Sequence, residues 1–464
     1  MRIVKKIAVV GSGPVGSVVA MKLMTSLPKN LEVHLIEAAK DDVNPNRFFL
    51  SEINSVNRRT MPNKFLRNLE KNGGDLSHAN LIGGFSNVWG ATWKSPSGND
   101  TSLVNAYFEL EKLLGRVKGK CGEIHFSTVI REGVSFCNCM SSLLSEESEE
   151  STSFLYKSSL LLNELHFAPE DLTNNQPSYA PWNSKTVVHY LRSYSNFILN
   201  SNTWVERFED KANGVVLHTS QGKLEFDLVV FACGPIETSK LLIRSLPSIS
   251  QVQLLDTQMT YSILLRWPRD NSQREFGLSH IASDLKTKGK SDVILHTQYY
   301  AHLYKNKDLV LSRLPDILSM PITVLLRLLD PFLVVAINYI SSSVSGTVMI
   351  RKDDNHGTKV RTLRIPSKNH RREFAKIYRA FSQKIRKLGL YTNQWFIFHQ
   401  APGKSYHYGA NTSLISTNNG RLIGCSNSYI SGAICLPEIH PEPITTLAMA
   451  QGIIVANKII EQIL

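Results

Sequence analysis

The sequence feature that most constrains the fold lies near the N-terminus. A short β-branched run, Ile7 to Val10, leads into Gly11-Ser12-Gly13-Pro14-Val15-Gly16 and then into the helix-compatible stretch Ser17 to Met24. Each glycine has a backbone purpose. Gly11 permits a tight turn, Gly13 lets a pyrophosphate approach the main chain, and Gly16 lets the helix lie close to the strand. The unpaired N–H groups at the helix start then face phosphate oxygens. A second strand-like run, Leu31 to Ile36, ends at Glu37, about 20 residues beyond the glycines, where a carboxylate accepts hydrogen bonds from ribose hydroxyls. Together these elements predict a dinucleotide held on a parallel α/β unit, without choosing between a nicotinamide and a flavin.

The chain has 464 residues, 42% of them hydrophobic. That is enough apolar surface for two or three domains, and it excludes a stapled mini-domain and a disordered chain. Six cysteines (Cys121, Cys137, Cys139, Cys233, Cys425, Cys435) are too few to staple a chain of this size. The lone C-x-C pair lacks the four-ligand spacing of a zinc site, so reduced thiols and no metal are expected. Met1 to Lys6 runs directly into the first strand without an apolar signal-peptide region, which predicts a cytoplasmic location.

Four further segments narrow the cofactor. Leu81 to Gly90 contains the pair Gly83-Gly84, followed by Ser86, Asn87, Val88 and Trp89, and suits a loop passing close to a flat ring system. Trp204 to Phe226 alternates like a three-stranded meander with turns at Asn213-Gly214 and Gln221-Gly222. Asp227 to Cys233 reads as a buried strand, followed by the turn and helix Gly234 to Leu242. Ser428 to Ala433 precedes a proline-interrupted loop, and a closing helix starts at Pro443-Ile444.

In this order the segments resemble the glucose-methanol-choline (GMC) flavin oxidoreductases, particularly the pyranose-oxidising and short bacterial members. The likeness covers a little under half the chain. It implies FAD, with Gly11, Gly13, Pro14, Val15, Gly16 and Glu37 on its nucleotide half. Gly83, Gly84, Ser86, Asn87 and Trp89 would lie in a loop over the flavin. Ala232 and Gly234 would belong to a supporting turn, and Gly432, Pro443 and Ile444 would lie where the last helix meets the ring. In the pyranose-oxidising relatives a histidine on the glycine-pair loop carries the flavin covalently. Val88 stands at that position here, so non-covalent FAD is expected.

The implied fold class is α/β: a Rossmann-like FAD-binding domain built from residues 1–95, 204–245 and 401–464, with an α+β substrate domain of residues 96–203 and 246–400 carrying an antiparallel sheet. Oxidising a CH–OH group requires a base within reach of the hydroxyl proton. The segment Pro402 to Ala410 looks like the one holding the family's catalytic histidine, which makes His407 the expected base. The family's second catalytic position falls on Glu442, with His440 two residues upstream as the alternative. Glu442 also reads as an N-cap ahead of Pro443 at the first helical position. His399 reads as a strand or core residue.

The chain carries a net charge of +13, and residues 351–390 hold 13 Lys+Arg against 3 Asp+Glu, so the excess is clustered. Within that stretch Phe374, Ile377, Tyr378, Phe381, Ile385 and Leu388 recur at helical spacing, which predicts a basic amphipathic helix. Upstream, Ile317 to Leu329 and Phe332 to Ile340 are apolar runs broken by Asp330-Pro331, each too short to span a bilayer. The combination predicts a membrane-facing segment, 315–390, meeting an anionic bilayer surface. No nucleic-acid-binding motif accompanies the charge. The expected substrate is a sugar, glycoside or lipid-linked alcohol, with an unspecified electron acceptor. The alternatives are a flavin-dependent reductase or isomerase and a non-catalytic flavin-binding membrane accessory protein.

Overall fold

The first apolar run becomes the strand Lys6–Val10, central in a five-stranded parallel sheet. The computed structural model describes residues 5–40, 66–68, 77–79, 81–87, 92–94, 100–115, 124–127, 155–157, 159–165, 178–266, 281–286, 293–301, 319–329, 332–352, 360–387, 389–410, 416 and 419–464. The sheet order is Phe197–Asn200, Glu32–Ile36, Lys6–Val10, Leu228–Phe231, Ser428–Ile430, all parallel. Its strands read as near-continuous apolar runs because both faces are covered. On one face Ile7, Val9, Val33, Leu35, Leu228 and Val230 pack under the first helix, Pro14–Ser26, and the closing helix, Thr445–Ile463. On the other face Ala8, Val10, Val229 and Phe231 pack against the helix Gly234–Ser245.

The predicted meander is present as Val205–Lys211, Gly214–Thr219 and Gly222–Phe226. Gly214 and Gly222, at φ 127° and 110°, make its two turns. The helices Thr101–Gly115 and Ser184–Leu191 and the strand Phe197–Asn200 differ from their expected place in the substrate domain. Leu110, Leu114, Val188, Leu191 and Phe197 are buried in the same core as the first helix. Their apolar spacing is equally compatible with either domain, and only tertiary packing assigns it.

A second, larger sheet is antiparallel among the described strands. Its order is Leu390–Tyr391, Met259–Arg266, Leu333–Ile340, Val293–Ala301, Ile281–Lys286 and Leu155–Lys157, with Ile397–His399 also pairing along Met259–Arg266. A four-stranded sheet, Val360–Ile365, Thr347–Lys352, Gln251–Asp256 and Tyr408–Ala410, joins the two halves.

Two expectations for the membrane-facing segment change here. The apolar run from Phe332 to Ile340 is not a segment left on the surface. It forms the strand Leu333–Ile340 inside the large sheet, with Val334, Ala336 and Ile340 in the core. The basic helix forms as His370–Lys387, but its apolar stripe of Phe374, Tyr378, Phe381 and Ile385 is buried against the sheet. A period of 3.6 gives an apolar face and cannot say whether protein or lipid covers it.

Candidate functional site

Two glycine loops meet at the start of the first helix. A Cβ on Gly11, at φ 102°, would lie 2.7 Å from Cys233 Cα, and one on Gly16 would sit 1.8 Å from the Gly11 carbonyl oxygen. Gly13 faces open space. The helix that begins at Pro14, with Val15 beside it, has no side-chain cap and no acid in its first turn, so its leading N–H groups remain available to an anionic group.

Glu37 is buried and accepts from Ser12 N at 2.9 Å, Ser12 Oγ at 2.6 Å and Ala39 N at 2.8 Å. Burial pushes its carboxyl group up against the pull of these donors. Ser12 Oγ also accepts from Gly83 N at 3.0 Å, and a Cβ on Gly84 would meet Gly13 Cα at 3.2 Å. The glycine-pair loop therefore lies directly on the first glycine loop. Ser86 Oγ closes the pair loop by donating to Gly83 O at 2.6 Å, and the short turn Gly84–Asn87 follows. Val88 and Trp89 lie outside the described residues.

Ala232 N donates to Val10 O at 2.9 Å, and Gly234, at φ 80°, opens the helix behind the first glycine loop. Gly432 N donates to Gln451 Oε1 at 2.6 Å, while Gln451 Nε2 and Thr446 Oγ1 are buried with no hydrogen-bond partner among the described residues. Thr446 lies in the first turn of the closing helix, whose N-cap is Ile444 with no side-chain cap. Open space at Gly13, uncapped helix starts and orphaned polar atoms suit a dinucleotide with a polar ring system.

The second part of the site is made of side chains. Gly403 N donates to Asp256 Oδ2 at 2.8 Å and Ser405 Oγ donates to Oδ1 of the same carboxylate, which fixes the loop carrying His407. Burial pushes the Asp256 carboxyl up to about 6 despite those bonds. Tyr406 sits at φ 62°, unusual for a bulky residue, and its ring meets Phe85 of the glycine-pair loop at 5.6 Å. His407 Nδ1 lies 3.2 Å from Thr257 Oγ1, and its ring stacks on Tyr339 at 4.7 Å. Burial, with His296 as a second cause, holds the His407 imidazole down to about 3, so it is neutral at ordinary pH.

Tyr339 is paired across the large sheet with His296, and their rings are 6.3 Å apart. His296 Nδ1 contacts Asp284 Oδ1 at 2.7 Å. Burial pushes the Asp284 carboxyl up, but His296 and Lys94 outweigh it and hold it down to about 2. A carboxylate can only accept, so Nδ1 of His296 carries the proton and Nε2 faces Gln298 Nε2 at 3.4 Å. Lys94 Nζ reaches Asp284 Oδ2 at 2.5 Å and Glu442 Oε1 at 2.6 Å. Glu442, His407, Tyr339, His296, Asp284 and Lys94 thus form one connected polar wall.

Glu442 is not the N-cap: the closing helix begins at Thr445, beyond Pro443, and the Glu442 carboxylate is turned to Lys94. No described hydrogen bond or ion pair joins His440 to the wall. His399 lies on the strand Ile397–His399, its ring against Phe374 at 4.9 Å. Lys94, Thr257, Asp284, His296 and Tyr339 carried no local sequence signal. Alternation along Val293–Ala301 offers a partial one, since His296, Gln298 and Tyr300 fall on one side of the strand.

Comparison with solved structures accounts for the whole chain. Pyridoxine 4-oxidase from Mesorbium loti matches with a TM-score of 0.60 at 15% identity, over 98% of this chain and 99% of its own. A formate oxidase from Aspergillus oryzae RIB40, in a variant studied for FAD modification, gives 0.67 at 13% identity over 100% and 99%. A second formate oxidase structure gives 0.64 at 13% over the same shares. The chain has the mixed α/β fold of these oxidases. No protein-family model matches the chain, and no curated protein matches its sequence. The likeness is carried by the fold.

Proposed function

We propose that the chain is an FAD-dependent oxidoreductase acting on a CH–OH group. The parallel-sheet half serves as a Rossmann-like FAD-binding unit, with the phosphates at Gly13 and Pro14, the ribose at Glu37, and the ring between the glycine-pair loop and the start of the closing helix. Attachment is non-covalent, on the ground that Val88 has no nucleophilic atom. When bound, FAD supplies the two-electron acceptor for the substrate's hydride.

The chain's own residues supply the proton chemistry. His407 Nδ1 is paired with Thr257 Oγ1, and in the tautomer in which Nδ1–H donates to that hydroxyl the Nε2 lone pair is free to take the substrate's hydroxyl proton. Tyr339 keeps the imidazole flat and shielded, and its phenol stays protonated because burial pushes it well up. Lys94 offsets the charge of Glu442, which makes a carboxylate tolerable where negative charge develops during reduction. His296, oriented by Asp284, adds a polar contact to the same wall.

The observation that carries this reading is the placement of His407, stacked on Tyr339 in a loop that touches the glycine-pair loop through Tyr406 and Phe85. A sugar, glycoside or lipid-linked alcohol is the proposed substrate class. Purified protein is expected to be yellow and to bleach anaerobically on addition of a suitable alcohol. His407→Ala should retain flavin and lose roughly 10²–10⁴ in the rate of bleaching. Unchanged reduction by the variant would remove His407 from the mechanism, and a colourless protein that refuses FAD would overturn the whole reading.

A further inference from the structure

We infer that the face formed by the helix Ser319–Leu329 and the adjoining edge of the large sheet docks on an anionic lipid bilayer. The helix buries Leu326 against Leu333, with Ile263, Ile322 and Val335 around it. Its remaining apolar residues face outward: Met320 is 78% and Leu328 68% exposed, and Val324, Leu325 and Leu329 are exposed as well.

Strand register extends this surface. Ile263 and Val335 lie under the helix, so the odd-numbered positions of their two strands share its side of the sheet. Leu265 is paired with both Leu333 and Tyr391, and Tyr261 with Phe398. Directly opposed residues point to one face, which puts Leu265, Tyr391 and Phe398 on the helix's side, all three exposed. Trp395, 80% exposed, and Phe396 occupy the turn between them. A patch of this size with Trp and Tyr at its border is uncommon on a soluble monomer and has the composition of a bilayer-interface contact.

Charge selects the occupant. The basic helix His370–Lys387 packs on the opposite side of the sheet, and its last cations, Arg386 and Lys387, are exposed. Lys387 is four residues before Tyr391, so their Cα atoms are at most about 14 Å apart. Arg327 is exposed on the apolar helix itself. Cations beside the patch attract anionic headgroups. In a symmetric dimer the same patch would meet itself and set these cations against one another. No described helix is long and apolar enough to cross a membrane, so the contact is with the bilayer surface.

The surface also has a direction. Leu333, Val335, Ile337 and Tyr339 alternate along one strand on one face, so a path of about 20 Å leads from the patch to the ring that stacks on His407. A lipid-linked alcohol would meet the site from this side. That last point rests on the proposed function, whereas docking itself does not.

The test is co-sedimentation of the full-length protein with vesicles of equimolar phosphatidylcholine and phosphatidylglycerol, and with phosphatidylcholine alone. Wild type should bind the anionic vesicles, bind the neutral ones less, and weaken in about 0.5 M salt. A Leu325→Glu/Leu328→Glu variant should bind the anionic vesicles at least about tenfold more weakly, with an unchanged melting temperature. Three results overturn the proposal: no binding to anionic vesicles, equal binding by wild type and variant, or a concentration-dependent dimer that the variant abolishes. The assay needs no flavin, so a colourless protein that still binds vesicles would sink the enzymatic reading alone.

Discussion

The two halves of the site are built by different means. Around Gly11, Gly13, Gly16, Gly83 and Gly84 the proposed working groups are main-chain N–H groups and the space left by absent side chains. Around His407 they are side chains from six separate stretches of chain, from Lys94 to Glu442, held by ion pairs and stacking. A main-chain site fails abruptly when one Cβ is added. A side-chain site fails by degrees, as each partner is left uncompensated.

The sharpest test of that contrast uses two neighbouring glycines. Gly16→Val places atoms on the Gly11 carbonyl and should cost at least about 4 kcal/mol, read as a lowered unfolding midpoint or as insoluble protein. Gly13→Ala meets nothing among the described residues, so the fold should stay within about 1 kcal/mol of wild type while flavin content falls. If both variants behave alike, the open space at Gly13 is not a ligand cradle.

Lys94→Met should come next in size. It leaves Asp284 and Glu442 without their shared cation and should cost about 2–4 kcal/mol at neutral pH. Much of that loss should return in acid, where Asp284, no longer held down by Lys94, takes up a proton. Urea unfolding at both pH values checks this, and a loss that does not change with pH would refute the charge explanation.

The folded chain resists protonating His407, at about 3, and His370, held down to about 4 by burial, whereas both titrate near 6.5 when unfolded. Stability from these two groups is therefore complete above about pH 6.5 and is lost as pH falls towards 4. Asp256 runs the other way: its folded value of about 6 exceeds the unfolded one, so its contribution is complete below about pH 4 and is lost as pH rises to 6. Two histidines lose stability over this window where one carboxyl gains it, so the histidines should dominate and stability should fall in acid. His370→Phe should flatten the acid limb of urea midpoints measured against pH, and an unchanged slope would remove His370 from the account.

The smallest effect concerns the anchor of the histidine loop. Ser405→Ala removes one donor to Asp256 and should cost about 1–2 kcal/mol, with flavin retained and turnover reduced. A variant of normal stability and normal turnover would show that the loop is held by other contacts.

The likeness between expectation and structure follows the same division. The strand Lys6–Val10, its glycine turn and the meander at 205–226 were legible because local backbone demands write themselves into Gly, Asn-Gly and β-branched residues. The turn that carries His407 was legible through Pro402-Gly403, with Gly403 at φ 81°, and the residue's role as base is a proposal. Asp284, His296 and Tyr339 were not, because each is an ordinary polar or aromatic residue in an alternating strand until its neighbours are placed. The basic helix was read correctly as a helix, yet what covers its apolar side was not in its period.

By itself, then, the sequence determined the parallel glycine-loop unit, the closing helix and the histidine segment, because their geometry is enforced within a few residues. Only the tertiary structure decided that Glu442 turns to Lys94 instead of capping a helix, and which apolar faces are sealed inside. It also assigned Thr101–Gly115 and Ser184–Leu191 to the parallel-sheet core. Ion pairing and burial are set by atoms hundreds of residues apart, and no local pattern encodes that distance.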